Sequence, residues 1–146
     1  MSRKAAREVA VHIVYDYGFN NEIGDESLEY FLSDDFAKSI SEDTDIYSQV
    51  GREQHEYILN IVKGVSEKRE EIDSLIERYS VGWNLNRISR IAVAIMRVAV
   101  YEFEFAEDIT EKIAINEAVE IAKKYDSQET VSFINGILGS ISRREG

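Results

Sequence analysis

The chain has 146 residues, 44% of them hydrophobic, with no cysteine and a formal net charge of −11. Length and apolar content suffice for a buried core, the missing thiols exclude disulfides and thiolate metal sites, and the net charge by itself argues against a polyanionic partner. No apolar run reaches the roughly 20 residues of a membrane span, and the opening MSRKAAREVA lacks the apolar stretch of a signal peptide, so the expectation is a soluble, cytoplasmic protein.

Proline is absent and glycine sparse, which removes the usual punctuation of a β-rich fold, and helical spacing recurs instead. Ala6, Val9, Ala10, Ile13, Val14 and Tyr17 repeat at three and four, which predicts a first helix with one apolar face, ending near Gly18. Leu28, Phe31, Leu32 and Phe36 suggest a short second helix, followed by the solvated SISEDTD run. From Tyr47 on, Val50, Tyr57, Ile58, Ile61, Val62 and Val65 mark a third, interrupted or ended near Gly64. Ile72, Leu75, Ile76 and Tyr79 mark a fourth, which Gly82 stops.

The segment from Asn86 to Phe105 leaves almost no polar face. A helix apolar all round is a buried one, and at about 1.5 Å per residue it spans roughly 30 Å, the width of a small domain. Asp108 with Glu111, and Asp126 with Glu129, have the spacing of N-terminal capping pairs. They introduce two further helices, one carrying Ile113, Ile115, Ala118, Val119 and Ala122, the other Val131, Ile134, Ile137, Leu138 and Ile141. The expected fold is all-α, with about seven helices.

Charge is unevenly spread along the chain. Between Glu22 and Asp45 nine acids face one base, Lys38. Arg3, Lys4 and Arg7, by contrast, are unopposed until Glu8. Screening over roughly 8 to 10 Å lets a basic tip and an acidic flank coexist. Arg3, Lys4 and Arg7 can gather at the start of one helix, where long side chains and the helix dipole favour phosphate; a merely solubilising tip would have the same composition.

Signals for chemistry are missing. There is no GxxxxGK[ST] loop, no GxGxxG and no nucleophile signature, so no enzymatic activity and no cofactor are expected. His12 and His55 are too few for a zinc site unless carboxylates complete it, and no metal is expected. Arg97, Glu102, Asn116, Glu117 and Glu120 are read as architecture: Arg97 falls within the buried helix and needs a carboxylate, for which Glu117 or Glu120 is available.

In order, the chain contains SRKAAREVAVHIVYDY, WNLNRIS, IMRVAVYEF, DITEKIAINEAVEIAKKY and FINGIL. That succession resembles the NusB family of transcription antitermination factors, and the related N-terminal domain of some ribosomal RNA cytosine methyltransferases. The resemblance implies one NusB-like RNA-binding domain over 1–146, built of two packed helical subdomains with a boundary expected near 80/81. It implies binding of a single-stranded boxA-type RNA jointly with NusE, a small-subunit ribosomal protein, within the transcription antitermination complex.

It also implies site residues: Arg3, Lys4, Arg7, Ser132 and Phe133 for RNA, with Phe133 stacking on an unpaired base, and Tyr15 and Ala92 for NusE. Two positions depart from the family pattern. Thr110 stands where proline is usual, and Ala92 where the family commonly places an acid on the NusE face. From the residues alone, core beside Val131 and Ile134 is the better reading of Phe133, and a half-buried ring with a solvated hydroxyl is an equally good account of Tyr15. The alternative function is a helical interaction or homodimerising module without RNA affinity.

Overall fold

The computed structural model describes residues 3–17, 54–80, 88–106 and 109–144, and among these every regular element is α-helical. We number the helices α1 (Arg3–Tyr17), α2 (His55–Glu67), α3 (Arg69–Arg78), α4 (Arg90–Phe105), α5 (Glu111–Tyr125) and α6 (Gln128–Ser142). They correspond to six of the seven expected helices; the helix expected around Leu28–Phe36 lies outside the described residues. The chain divides into two compact units, Met1–Glu67 and Lys68–Gly146, so the boundary falls earlier than the expected 80/81. The reason is α3, which packs against α4 and α6 and so belongs to the second unit.

In the first unit α1 packs against α2. Ile58, Ile61, Val62 and Val65 form the buried stripe of α2 at the three- and four-residue spacing of one helix face. Gly64 does not end this helix, which continues to Glu67; isolated glycine costs a helix interior only about 1 kcal/mol. On α1 the burial is wider than one face, because every residue from Ala5 to Val11 is buried, including Arg7 and Glu8.

In the second unit α4 is central, packing on α3, α5 and α6. Its buried set runs Ala92, then Ala94 to Val100, then Glu102, as expected of a helix without a polar face. The alanines let neighbouring helices approach closely, while Ile95, Met96 and Val98 fill the space between them. The polar member, Arg97, is 7% exposed along its side chain and grips Asp73 of α3 with both edges of its fork, Nε to Oδ1 at 2.8 Å and Nη2 to Oδ2 at 2.9 Å. The carboxylate expected for Arg97 was Glu117 or Glu120; the structure supplies Asp73, while Glu120 pairs with Lys123 on its own helix.

The helix starts differ from the expected capping pairs by one or two residues. Thr110 caps α5, its hydroxyl accepting from the Ile113 amide at 3.3 Å, and Ser127 caps α6, accepting from the Thr130 amide at 3.2 Å. Serine and threonine match aspartate in this role, so the change of cap costs the fold little. Asp126 does a different job. Its Oδ1 accepts from the Ser127 amide at 2.7 Å and its Oδ2 from the hydroxyl of Ser89, the N-cap of α4, at 2.5 Å. One carboxylate thereby ties together the starts of two helices. Among the described residues no helix is long and apolar enough to cross a membrane, and no group of three or more potential metal-ligating side chains is gathered.

Candidate nucleic-acid interface

The first turn of α1 carries no acidic residue, so its positive dipole end and its bases act in the same direction. Arg3 and Lys4 are exposed, whereas Arg7 is buried, with 7% of its surface accessible. The four-residue spacing places Arg3 and Arg7 on one face of the helix, and the packing of α1 on α2 brings that face to Tyr57. The Arg3 guanidinium carbon lies 3.9 Å from the centroid of the Tyr57 ring, and that of Arg7 lies 5.9 Å from it. Both distances are within cation–π range. Tyr57 is half-buried and was read from the sequence only as part of the apolar face of the third helix. Nothing in the spacing of a single helix reveals that two arginines from another helix share its ring.

At the other end of α1, Tyr15 is one of two large hydrophobic side chains left in water among the described residues, 41% exposed. This is more open than the half-buried ring that the sequence allowed.

The second unit carries the rest of the expected residues. On α6, Ser132 is exposed, as are Asn135 and Gly136 of the FINGIL motif, which sequence reasoning passed over. Their position between buried Val131, Ile134, Ile137 and Leu138 is the signal that was available. A Cβ added at Gly136 would meet nothing within 4 Å, so this part of the helix presents small and polar residues with open space over the glycine. Phe133, expected to stack on RNA, is 6% exposed. Its ring belongs to the core in this structure, because it follows the same inward face as Ile134 and Ile137.

Ala92, expected at the partner surface, has no exposed area. It sits in the first turn of α4, where its amide donates to the Ser89 hydroxyl at 3.2 Å, and its methyl group is covered by the chain itself. The Asp126 carboxyl nearby feels two opposed influences. Desolvation pushes its pKa up, but hydrogen bonds from Ser89, the Ser127 amide, Thr130 and Ser127 outweigh this and hold it below its ordinary value of 3.8. Arg3, Lys4, Arg7 and Tyr15 are thus gathered on α1 of the first unit, and Ser132 and Phe133 on α6 of the second.

The family model described as NusB family matches residues 4–143. The transcription antitermination protein NusB of Acetivibrio thermocellus is 42% identical over 141 residues, covering 97% of this chain and 88% of that protein. Among solved structures, NusB of T. maritima superposes with a TM-score of 0.78 at 28% identity, over 99% of this chain and 93% of that one. A chain from a crystal structure of the antitermination factors NusB and NusE in complex with dsRNA gives a TM-score of 0.72 at 25% identity, over 97% of this chain and 96% of that one. An all-helical two-unit fold, a basic start to α1 and a family match spanning nearly every residue lead to one conclusion: the chain belongs to the NusB family.

Proposed function

We propose that this protein is a cytoplasmic transcription antitermination factor that binds boxA-type single-stranded RNA together with NusE, promoting antitermination in ribosomal RNA transcription by binding rather than by catalysis. The observation that carries the reading is the start of α1, where exposed Arg3 and Lys4 stand beside Arg7 and no acid occupies the first turn, on a chain whose net charge is −11. On an acidic protein a basic helix start with no acid in its first turn, carrying two exposed bases in succession, concentrates attraction for phosphate there. Arg3 and Lys4 neutralise phosphates and set position; the exposed Ser132 and Asn135 on α6 offer hydroxyl and amide groups to base edges and ribose hydroxyls.

Tyr15 is the candidate contact for NusE, a ring exposed on α1 with an apolar body and a polar tip. Ala92 contributes by packing, since its methyl group has no exposed area. A second reading, recognition of duplex RNA, is favoured by the solved complex of NusB and NusE with dsRNA.

Fluorescence anisotropy with a labelled boxA-like strand, the matching duplex and a scrambled strand, each with and without NusE, tests the proposal. The expected result is tightest binding of the boxA-like strand, strengthened by NusE. Preference for the duplex would establish the second reading, and absence of binding to every RNA would overturn both.

A further inference from the structure

We propose that Arg3, held against the face of Tyr57, is the platform on which one unpaired RNA base stacks, with Tyr57 as the residue that positions it. The inference rests on the RNA-binding reading above and adds to it a stacking site that the sequence placed elsewhere. Single-strand recognition draws on exposed planar groups, either aromatic rings or guanidinium planes. The aromatic expected to serve, Phe133, is 6% exposed and offers no accessible face.

On α1 the arrangement is different. The Arg3 guanidinium carbon is 3.9 Å from the Tyr57 centroid, the separation of groups in van der Waals contact. Arg3 is exposed while Tyr57 is half-buried, so the ring is fixed by the packing of α2 on α1 and the guanidinium is the outer layer.

Guanidinium is planar, delocalised and weakly hydrated, and stacks on aromatic faces. A base settling on its outer side would complete a three-layer stack of ring, guanidinium and base. Because Tyr57 already restrains the arginine, less side-chain freedom is lost when the base arrives. Arg7, whose guanidinium carbon lies 5.9 Å from the centroid of the same ring, adds positive charge near the stack, and exposed Lys4 is adjacent to receive a neighbouring phosphate. A lysine at position 3 could supply charge but not a plane. A duplex keeps its bases stacked on one another, so this site selects single strands.

The experiment uses the full chain and a boxA-like strand carrying 2-aminopurine at successive positions, whose fluorescence reports stacking, together with anisotropy titrations over a range of salt concentrations. Arg3→Lys retains charge and lies on the surface, so folding is preserved and is checked by thermal melting. The expected result is a change in fluorescence at one position with the wild type that is lost with Arg3→Lys. Affinity should fall about 5- to 50-fold with little change in salt slope. Tyr57→Phe should bind as the wild type does, and Tyr57→Leu should behave as Arg3→Lys. If Arg3→Lys binds as tightly as the wild type with the same fluorescence pattern, Arg3 acts only as a charge and the stacking site is refuted while RNA binding stands. If the wild type binds no RNA, both the site and the reading it rests on fall.

Discussion

Replacing Asp73 by alanine tests what holds the second unit together. Arg97 reaches Asp73 through two charge-assisted hydrogen bonds of 2.8 and 2.9 Å, and its side chain is 7% exposed against 39% for Asp73. Breaking a fully buried pair costs about 3–5 kcal/mol, because a charge is left in a poor solvent. The open side of Asp73 lets water replace part of the lost interaction, which lowers the expected cost to about 2–3 kcal/mol. Arg69, 3.9 Å from the same carboxylate and a third exposed, adds little. For a chain of this length each kcal/mol shifts the melting temperature by about 2–4 °C, so Asp73→Ala should melt about 4–12 °C lower. Asp73→Asn keeps one acceptor and should lose about half as much. Differential scanning calorimetry gives the comparison, and a double substitution of Asp73 and Arg97 by leucine and methionine should recover much of the loss. If Asp73→Ala melts within about 1 °C of the wild type, the tie between α3 and α4 does not hold the unit together.

Asp126→Asn should lower the melting temperature at neutral pH, by an amount equivalent to about 1–3 kcal/mol. The folded-state pKa of Asp126 is depressed, so its stabilisation is present above the unfolded value and fades as pH falls through the folded one; the difference between wild type and variant should therefore vanish well below pH 3.8. Phe133→Ala should destabilise the fold by about 3–5 kcal/mol, and any weakened RNA binding should follow the fraction unfolded at the assay temperature. Ala92→Glu places a carboxylate where no surface is exposed, and should lower the melting temperature rather than strengthen NusE binding.

The helices were legible because their apolar periodicity is strong, and α4 most of all: a stretch with no polar face can only be central. Boundaries were less so, since the capping pairs place an acid where Thr110 and Ser127 do the work, and an aspartate, a serine and a threonine are equivalent as sequence signals. The partner of Arg97 was misplaced for a simpler reason. Asp73 stands 24 residues before it on another helix, and only tertiary packing decides which of several acids arrives.

The candidate site shows the same division. That Arg3 and Arg7 share a face follows from their spacing, but that the shared face rests on Tyr57 depends on how α1 packs against α2. Phe133 had two readings, surface from the resemblance and core from its neighbours, and Ala92 was placed at the NusE face by the resemblance; both side chains are buried. Ser132, the residue before Phe133, is exposed on α6, turned about 100° from it around the helix axis.

The central claim, that an acidic helical protein captures single-stranded RNA through the basic start of α1, is tested most directly by the salt dependence of boxA-like RNA binding. With the wild type, log affinity should fall linearly with log salt at about −0.7 per phosphate neutralised, and replacing Arg3 and Lys4 together by alanine should flatten the slope by about 1.4. A double variant that binds as tightly as the wild type with an unchanged slope would contradict the account and place the RNA surface elsewhere on the chain.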